Sequence, residues 1–386
     1  MPTVAPSPVY DSYWRFAAAR HDVYLRRLRG LPSPWTDDPI IASWRFTNAY
    51  RAADRVSQYL IRNVIYEGDQ DPEETVFRIL LFRWFNRIST WELLNDRLGP
   101  LRREEFDVAA ADRLLSQSKT AGNRVYSAAY IVPPVPNSQG PKHAGHLSLT
   151  MRMLNAGLTE QLATAESLER VFKLLRAWPG IGDFLGYQLA IDINYSNVID
   201  HDEDEFVVPG PGAIDGISKA WPNADLRKAA DIIRHTAEEQ EEQFERIGVP
   251  FSGLFGRRLK LIDCQNLYCE ISKYSRAAHP EAVGVAGRTR IKQVYRTWPH
   301  PEPLPLPVFP PKWRLTVPGS LGTQATRPSP PHLALEFDDR CDLTVAGQRR
   351  LPISEQSGIE IDYEEPSRPF RKTSHRLKSL GDRTAP

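Results

Sequence analysis

A mainly α-helical protein is what this sequence predicts, with one helical body over roughly residues 10–298 and a Pro-rich, largely disordered C-terminal tail. Three observations carry the expectation. Apolar residues recur every three or four positions through the first hundred residues and again over 161–196. At 41% hydrophobic, the chain can build a sizeable core. From Pro299 onward, proline breaks the pattern in PHPEPLPLPVFPPKW and TRPSPPH.

Residues 1–40 carry a helix from Tyr10 to about Leu28, then a linker interrupted by Pro32, Pro34 and Pro39. The body, 41–298, opens with two long helices. TNAYRAADRVSQYLIRNVI predicts one over Thr47–Ile65, capped by Thr47 or Asn48. Asp71-Pro72-Glu73-Glu74 begins the other, with proline and acids where a first turn accepts them. It runs on through NDRL, with Phe77, Leu80, Leu81, Trp84, Phe85 and Ile88 forming a broad apolar stripe. Arg83, Asn86 and Arg87 interrupt that stripe, either as a salt-bridged face or as groups that contact DNA or brace a site. Shorter helices follow over 103–160, where His143 and His146 are spaced by three without an evident third metal ligand. ESLERVFKLLRAW and DFLGYQLAIDINY predict a helix pair, and RHTAEEQEEQFERIG a charged, exposed helix. RRLKLIDCQNLYCEISKYSR is helical again, with Asn266 and Lys273 placed to face either nucleic acid or solvent. In the tail, 299–386, LALEF and LTVAG read as a possible strand pair, and RPFRKTSHRLKSLGDR as a basic end able to touch a polyanion.

Composition narrows the function. The net charge is +1, so any nucleic-acid binding rests on local patches rather than a global field. No apolar run is long enough for a membrane span, and MPTVAPSPVYDSYWRF lacks the parts of a signal peptide. The three cysteines, Cys264, Cys269 and Cys341, suit a reducing compartment, cytoplasmic or nuclear, better than a disulfide scaffold. No cofactor and no metal site are evident.

The richest stretch is Ala177–Trp221. A tight hairpin, Pro179-Gly180-Ile181-Gly182, opens an apolar helix; free N–H groups at such a start favour a phosphate. Asp192 lies near the end of that helix, where an acid beside apolar surface can acquire a raised pKa. An acidic run follows, with Asp200, Asp202, Glu203, Asp204 and Glu205. A second glycine turn, Pro209-Gly210-Pro211-Gly212, leads to GISKAW and Lys219. A backbone phosphate clamp next to carboxylates fits an enzyme of nucleic acids; a solvated acidic loop between two helices is the plainer alternative.

RFTNAYRAADRVSQYLIRNVIY, FRILLFRWFNRISTWELL, WPGIGDFLGYQLAIDINYS, EDEFVVPGPGAIDGISKAW and CQNLYCEISKY occur in this order. Together, over roughly residues 40–280, they resemble the helical domain of 5-hydroxymethyl-deoxyuridine DNA kinases. That domain is similar to the glutamyl/putrescinyl-thymine pyrophosphorylase group of thymine hypermodification, which in turn resembles helix-hairpin-helix DNA glycosylases. The resemblance implies a body that grips duplex DNA and reads a flipped pyrimidine. It implies that Gly180, Ile181 and Gly182 bind phosphate and that a catalytic carboxylate lies roughly two dozen residues on, at Asp202, Glu203 or Asp204. Glu205-Phe206 matches the group's acid-Phe pattern, and Gly210 and Gly212 a second phosphate cradle. Two features depart from the pattern. The sequence holds no G-x-x-x-x-G-K-[ST], which argues against phosphorylating the base by itself. Asp183 and Phe184 stand beside the hairpin where strand-nicking glycosylases often carry a lysine.

The leading expectation is therefore a transferase acting on a flipped hydroxymethyl-pyrimidine derivative in double-stranded DNA, with loss of phosphate or pyrophosphate. Asp202, Asp204, Glu205 and Asp192 are its candidate acid–base groups. Gly180, Ile181, Gly182, Gly210, Gly212, Lys219, Arg83, Asn86, Arg87, Asn266 and Lys273 are the candidate DNA and phosphate contacts. Two alternatives stand beside it: a monofunctional glycosylase that excises a modified pyrimidine, and a non-catalytic DNA-binding partner of a separate DNA-base kinase.

Overall fold

Ser7 caps the first helix, α1 (Pro8–Leu28), accepting the Val9 N–H on its hydroxyl, while Pro8 supplies a preset φ. The computed structural model to which this helix belongs describes residues 5–128, 131–295 and 304–318, all within one compact unit. A short helix, α2 (Pro39–Ser43), starts at Asp38, whose carboxylate accepts the Ile40 and Ile41 N–H groups.

The long helix expected over Thr47–Ile65 is broken. It consists of a 3-10 turn at Arg51–Ala53, a short α3 (Arg55–Tyr59) and a π-helical turn at Leu60–Ile65. The cause is competition for donors. Asp263 accepts the Arg51 N–H at 2.8 Å, the amide that a helix from Thr47 would donate to the Thr47 carbonyl, so the ladder is interrupted at its start, while Asp54 accepts the Asn48 N–H at 2.7 Å. α4 (Pro72–Phe85) begins as expected at Asp71, then stops where Asn86 enters the left-handed region at φ 47°. α5 (Ile88–Leu98) restarts beyond it, so the second expected helix is two.

α7 (Lys142–Asn155) and α8 (Leu158–Ala163) pack beside α4, and α6 (Val108–Thr120) packs on α5 and α7. α9 (Leu168–Arg176) and α10 (Asp183–Asn194) are joined by the glycine hairpin and lie against each other. α10 is buried nearly end to end, as its apolar sequence requires. The loop 195–210 leads to α11 (Pro211–Ala220). The charged run expected as one exposed helix is two, α12 (Ala229–Glu238) and α13 (Gln240–Arg246), with Thr236, Gln240 and Phe244 buried.

α14 (Leu261–Ala278) is the hub, packed on α1, α2, α11 and α12. Tyr13 of α1 lies 4.7 Å from Tyr268 between ring centroids, so the N-terminal helix is part of the body. α11 approaches α14 so closely that a Cβ at Gly216 would sit 2.0 Å from the Tyr268 carbonyl oxygen. The described residues contain no β-strand, only isolated bridges at Trp44–Val294 and Leu254–Arg257. LALEF, LTVAG and the basic end lie outside the described residues. Residues 304–318 depart from the expected extended tail: Gln58 both donates to the Val308 carbonyl, at 3.0 Å, and accepts its N–H, at 2.9 Å, tying this arm to the body.

Candidate functional site

The loop after α10 is closed by Asn194. Its Nδ2 donates to the His201 carbonyl at 3.0 Å and its Oδ1 accepts the His201 N–H at 2.9 Å. Within the loop, Asp202 Oδ1 accepts the Asp204 N–H at 3.0 Å, a tight turn that brings Asp200, Asp202 and Glu203 of the acidic run to one place. That place is a small polar cavity of about 130 Å³. Asp200, His201, Asp202 and Glu203 form one wall, Arg257 and Lys260 a second, and Lys312 with Trp313 a third.

Charge is balanced almost pair by pair. Arg257 Nη2 donates to Glu203 Oε1 at 2.7 Å, and both side chains are largely buried. Lys260 Nζ bonds Asp204 and lies 3.4 Å from Asp202. Lys312 Nζ lies 3.4 Å from Asp200. Burial pushes the Glu203 carboxyl up from its ordinary range, opposed first by Arg257. Asp202 moves the other way, held down chiefly by the Asp204 N–H. One loop thus holds two carboxyls displaced in opposite directions, an arrangement suited to proton transfer. His201 Nε2 is buried there and takes no hydrogen bond from a described residue.

The structure brings Asp202 to this pocket, holds Asp204 beside it through Lys260, and leaves other expected residues elsewhere. Glu205 is exposed and does not line it. Asp192 is fully buried and accepts Arg51 at 2.7 Å and Arg83 at 2.5 Å, so it is a core charge centre with no open face. Arg83 is consequently not a DNA contact: it is 4% exposed and bonds Asp192 and Asn86. Asn86 ends α4 and Arg87 caps the start of α5. Lys219 is corrected likewise. It is 2% exposed, and its Nζ donates to the Ser272 carbonyl at 2.8 Å and to Ser275 at 3.2 Å. Lys273 pairs with Glu270 at 2.8 Å against the Phe46 ring, and Asn266 is half-buried on α14.

The glycines separate into two kinds. Gly210 is buried, with a hypothetical Cβ 3.2 Å from the Phe184 ring, and one on Gly212 would meet Cys269 Sγ at 3.0 Å. Close helix packing accounts for both, so no second cradle is carried forward. In the first hairpin, Gly180 has φ 85° and Gly182 caps α10 without a side-chain bond, facing solvent. Ile181 turns its side chain into the core, at 2% exposed. Asp183 pairs with Arg176 at 2.5 Å. His143 and His146 take separate partners, Asp112 and Ser116 for one, Tyr126 and the Pro133 carbonyl for the other.

Sequence reasoning left Arg257, Lys260, Lys312, Trp313 and His201 unassigned. The run GRRLK offered a signal for two of them; Lys312 and Trp313 sit in a proline-rich segment set aside as tail.

A family profile described as "5-hmdU DNA kinase, helical domain" matches residues 7–284. It therefore takes in the N-terminal helix, which the motif resemblance had left outside. The 5-hmdU DNA kinase of Bacillus phage SP10 is 26% identical over 289 residues, which cover 69% of this chain and 45% of that relative. The chain thus spans about half the length of the curated relative it matches. No solved structure matches the chain.

Proposed function

Because this chain belongs to the family of the 5-hmdU DNA kinase helical domain, we propose that it is a DNA-binding module of modified-pyrimidine chemistry whose site is the pocket between Glu203 and Lys312. The observation that carries this reading is the pocket itself: oppositely displaced carboxyls, three cations and an unpartnered His201 Nε2 around one small cavity. At about 130 Å³ it suits one ring-sized group and falls below the roughly 300–1,000 Å³ of sites for larger ligands. A pyrimidine flipped from the duplex is such a group.

The hairpin at 179–182 serves as the duplex anchor. It opens α10, whereas Asn194 beside the pocket ends it; the 12 residues of the helix place them about 18 Å apart. In the transfer, an amine nitrogen bonds to the exocyclic carbon as the carbon–oxygen bond to phosphate breaks. The phosphate leaves with the electron pair, Glu203 takes the ammonium proton, and Lys260 balances the departing charge.

A second reading has its own support. Asp200, Asp202, Glu203 and Asp204 are each already ion-paired. On that reading the chain is a non-catalytic DNA-binding partner of a separate DNA-base kinase. Duplex oligonucleotides carrying thymine, 5-hydroxymethyluracil or 5-phosphomethyluracil, incubated with amino acids and polyamines and read by intact mass spectrometry, separate the cases. Replacement of phosphate by an amine, lost in Glu203→Gln, supports the transferase. Loss of the base mass identifies a monofunctional glycosylase and defeats the transferase. Retained binding with no mass change on any duplex supports the non-catalytic partner.

A further inference from the structure

We infer that Trp313 and Lys312 are positioning residues of the pocket: Trp313 holds Arg257 against Glu203, and Lys312 fixes the turn 196–200 that carries the acidic loop. The inference rests on the pocket being the site proposed above. Both residues lie beyond residue 284, where the family match ends, so the family description does not account for them.

The geometry of Lys312 is that of a clamp. Its Nζ donates to the Ser196 carbonyl at 3.0 Å and the Ile199 carbonyl at 2.6 Å, and reaches Asp200 at 3.4 Å. These three acceptors use all the donors of an ammonium group. The carbonyls follow directly on the end of α10, where a cation is favoured by the helix dipole. Trp313 works from the other side. The Arg257 guanidinium lies 3.7 Å from the indole ring centre, within cation–π range. Tyr195 meets the indole edge-on at 5.4 Å and Phe309 stacks at 6.1 Å, so the ring is itself held. Arg257 is left between an aromatic face and a carboxylate. The arm does not depend on the pocket for its place, because Gln58 grips the Val308 backbone and Arg62 bonds the Leu306 carbonyl.

Fixing Arg257 matters because Glu203 is buried. The groups around its carboxylate are Arg257, Lys260 and Lys312 as cations, and Tyr187, Tyr195 and Asp263 as neutral or acidic neighbours. An arginine free to swing away, or a missing lysine, stabilises the ionised carboxylate less, and the proton is then held to higher pH.

Full-length protein labelled with carboxyl-13C glutamate, with the Glu203 signal assigned by its loss in Glu203→Gln, gives the titration midpoint directly. Trp313→Ala and Lys312→Met are expected to raise that midpoint by about one pH unit, and Trp313→Phe by less, since phenylalanine keeps an aromatic face. The acid limb of turnover against pH is expected to move by the same amount. Unchanged midpoints in Trp313→Ala and Lys312→Met overturn the inference. If Trp313→Ala does not fold, Trp313→Phe and Lys312→Met carry the same comparison. If Glu203→Gln retains turnover, the site reading falls, while the titration still decides whether the arm positions Arg257.

Discussion

Glu203 and Arg257 form a buried ion pair, with Nη2 2.7 Å from Oε1 and side chains 5% and 14% exposed. Removing one partner of such a pair leaves the other charge uncompensated, at a cost of roughly 3–5 kcal/mol. Arg257→Met is therefore expected to destabilise the protein, and Glu203→Gln added to it to restore most of the loss. The deficit has a pH sign. Without Arg257 the folded Glu203 pKa rises further above its unfolded value, so the lost stability is smallest near pH 5 and grows toward pH 8. Urea unfolding at both pH values checks this; a deficit within about 0.5 kcal/mol at pH 8 contradicts it.

Asp192 gives the second prediction. It is fully buried between Arg51 and Arg83, and Arg51 also donates to Gln188 at 2.9 Å. Asp192→Asn removes the carboxylate that lies between the buried cations Arg51 and Arg83, and is expected to cost several kcal/mol, on the order of 3–5. The loss is one of folding. Turnover per folded molecule, measured below the variant's melting temperature, is expected to stay near wild type; selective loss of turnover in a fully folded variant would return Asp192 to the site.

Much of the fold is legible in the sequence because it is local. Asp71-Pro72 announces α4, the apolar spacing of Tyr10–Leu28 announces α1, and the glycine hairpin between α9 and α10 lies where PGIG puts it. The breaks at Asn86 and across Arg51–Ile65 were hidden because neither is marked by glycine or proline; the second depends on Asp263, more than 200 residues away. The same non-locality hides the true place of two cations. Arg83 and Lys219 read as surface groups, yet each is buried against an acid or carbonyl of another helix. Conversely, the acidic run was legible as a place, but its chemistry depends on Arg257, Lys260 and Lys312, which approach from distant segments.

Two glycines separate packing from binding. Gly216→Ala places a methyl 2.0 Å from the Tyr268 carbonyl, where only backbone movement relieves the clash, and is expected to cost at least roughly 1–3 kcal/mol. Gly182→Ala meets nothing within 4 Å and has an ordinary φ of −85°. Its cost is limited to the weaker capping of alanine, no more than about 1 kcal/mol. Duplex affinity of the folded Gly182→Ala protein is therefore a clean readout of the anchor. A fall of about tenfold, steeper at low salt, is expected if the hairpin holds a phosphate; unchanged affinity across salt removes the hairpin from the DNA face.

The last prediction concerns His21. It is 4% exposed, bonds the Gly253 carbonyl through Nε2 at 3.0 Å, and is enclosed by Tyr24, Tyr50 and Phe251. Burial lowers its pKa from 6.5 to about 4. The unfolded chain then takes up the proton first, so the stability due to a neutral His21 is complete above pH 6.5 and lost as pH falls toward 4. At ~1.4 kcal/mol per pH unit the loss is at most roughly 3 kcal/mol. Asp263, raised to about 7 by burial, acts in the opposite sense, weakening the fold as pH rises from its unfolded value toward 7. The whole-protein curve mixes these with other buried groups, His146 lowered to about 4 and Asp54 raised to about 7 among them, but the difference between wild type and His21→Phe isolates one. Losing the bond to Gly253 contributes an offset that does not depend on pH. The difference is expected to shift in favour of His21→Phe by up to that amount between pH 6.5 and 4. Parallel curves over this range, measured by urea unfolding, would mean that His21 is already protonated in the folded protein or that its pocket opens to water.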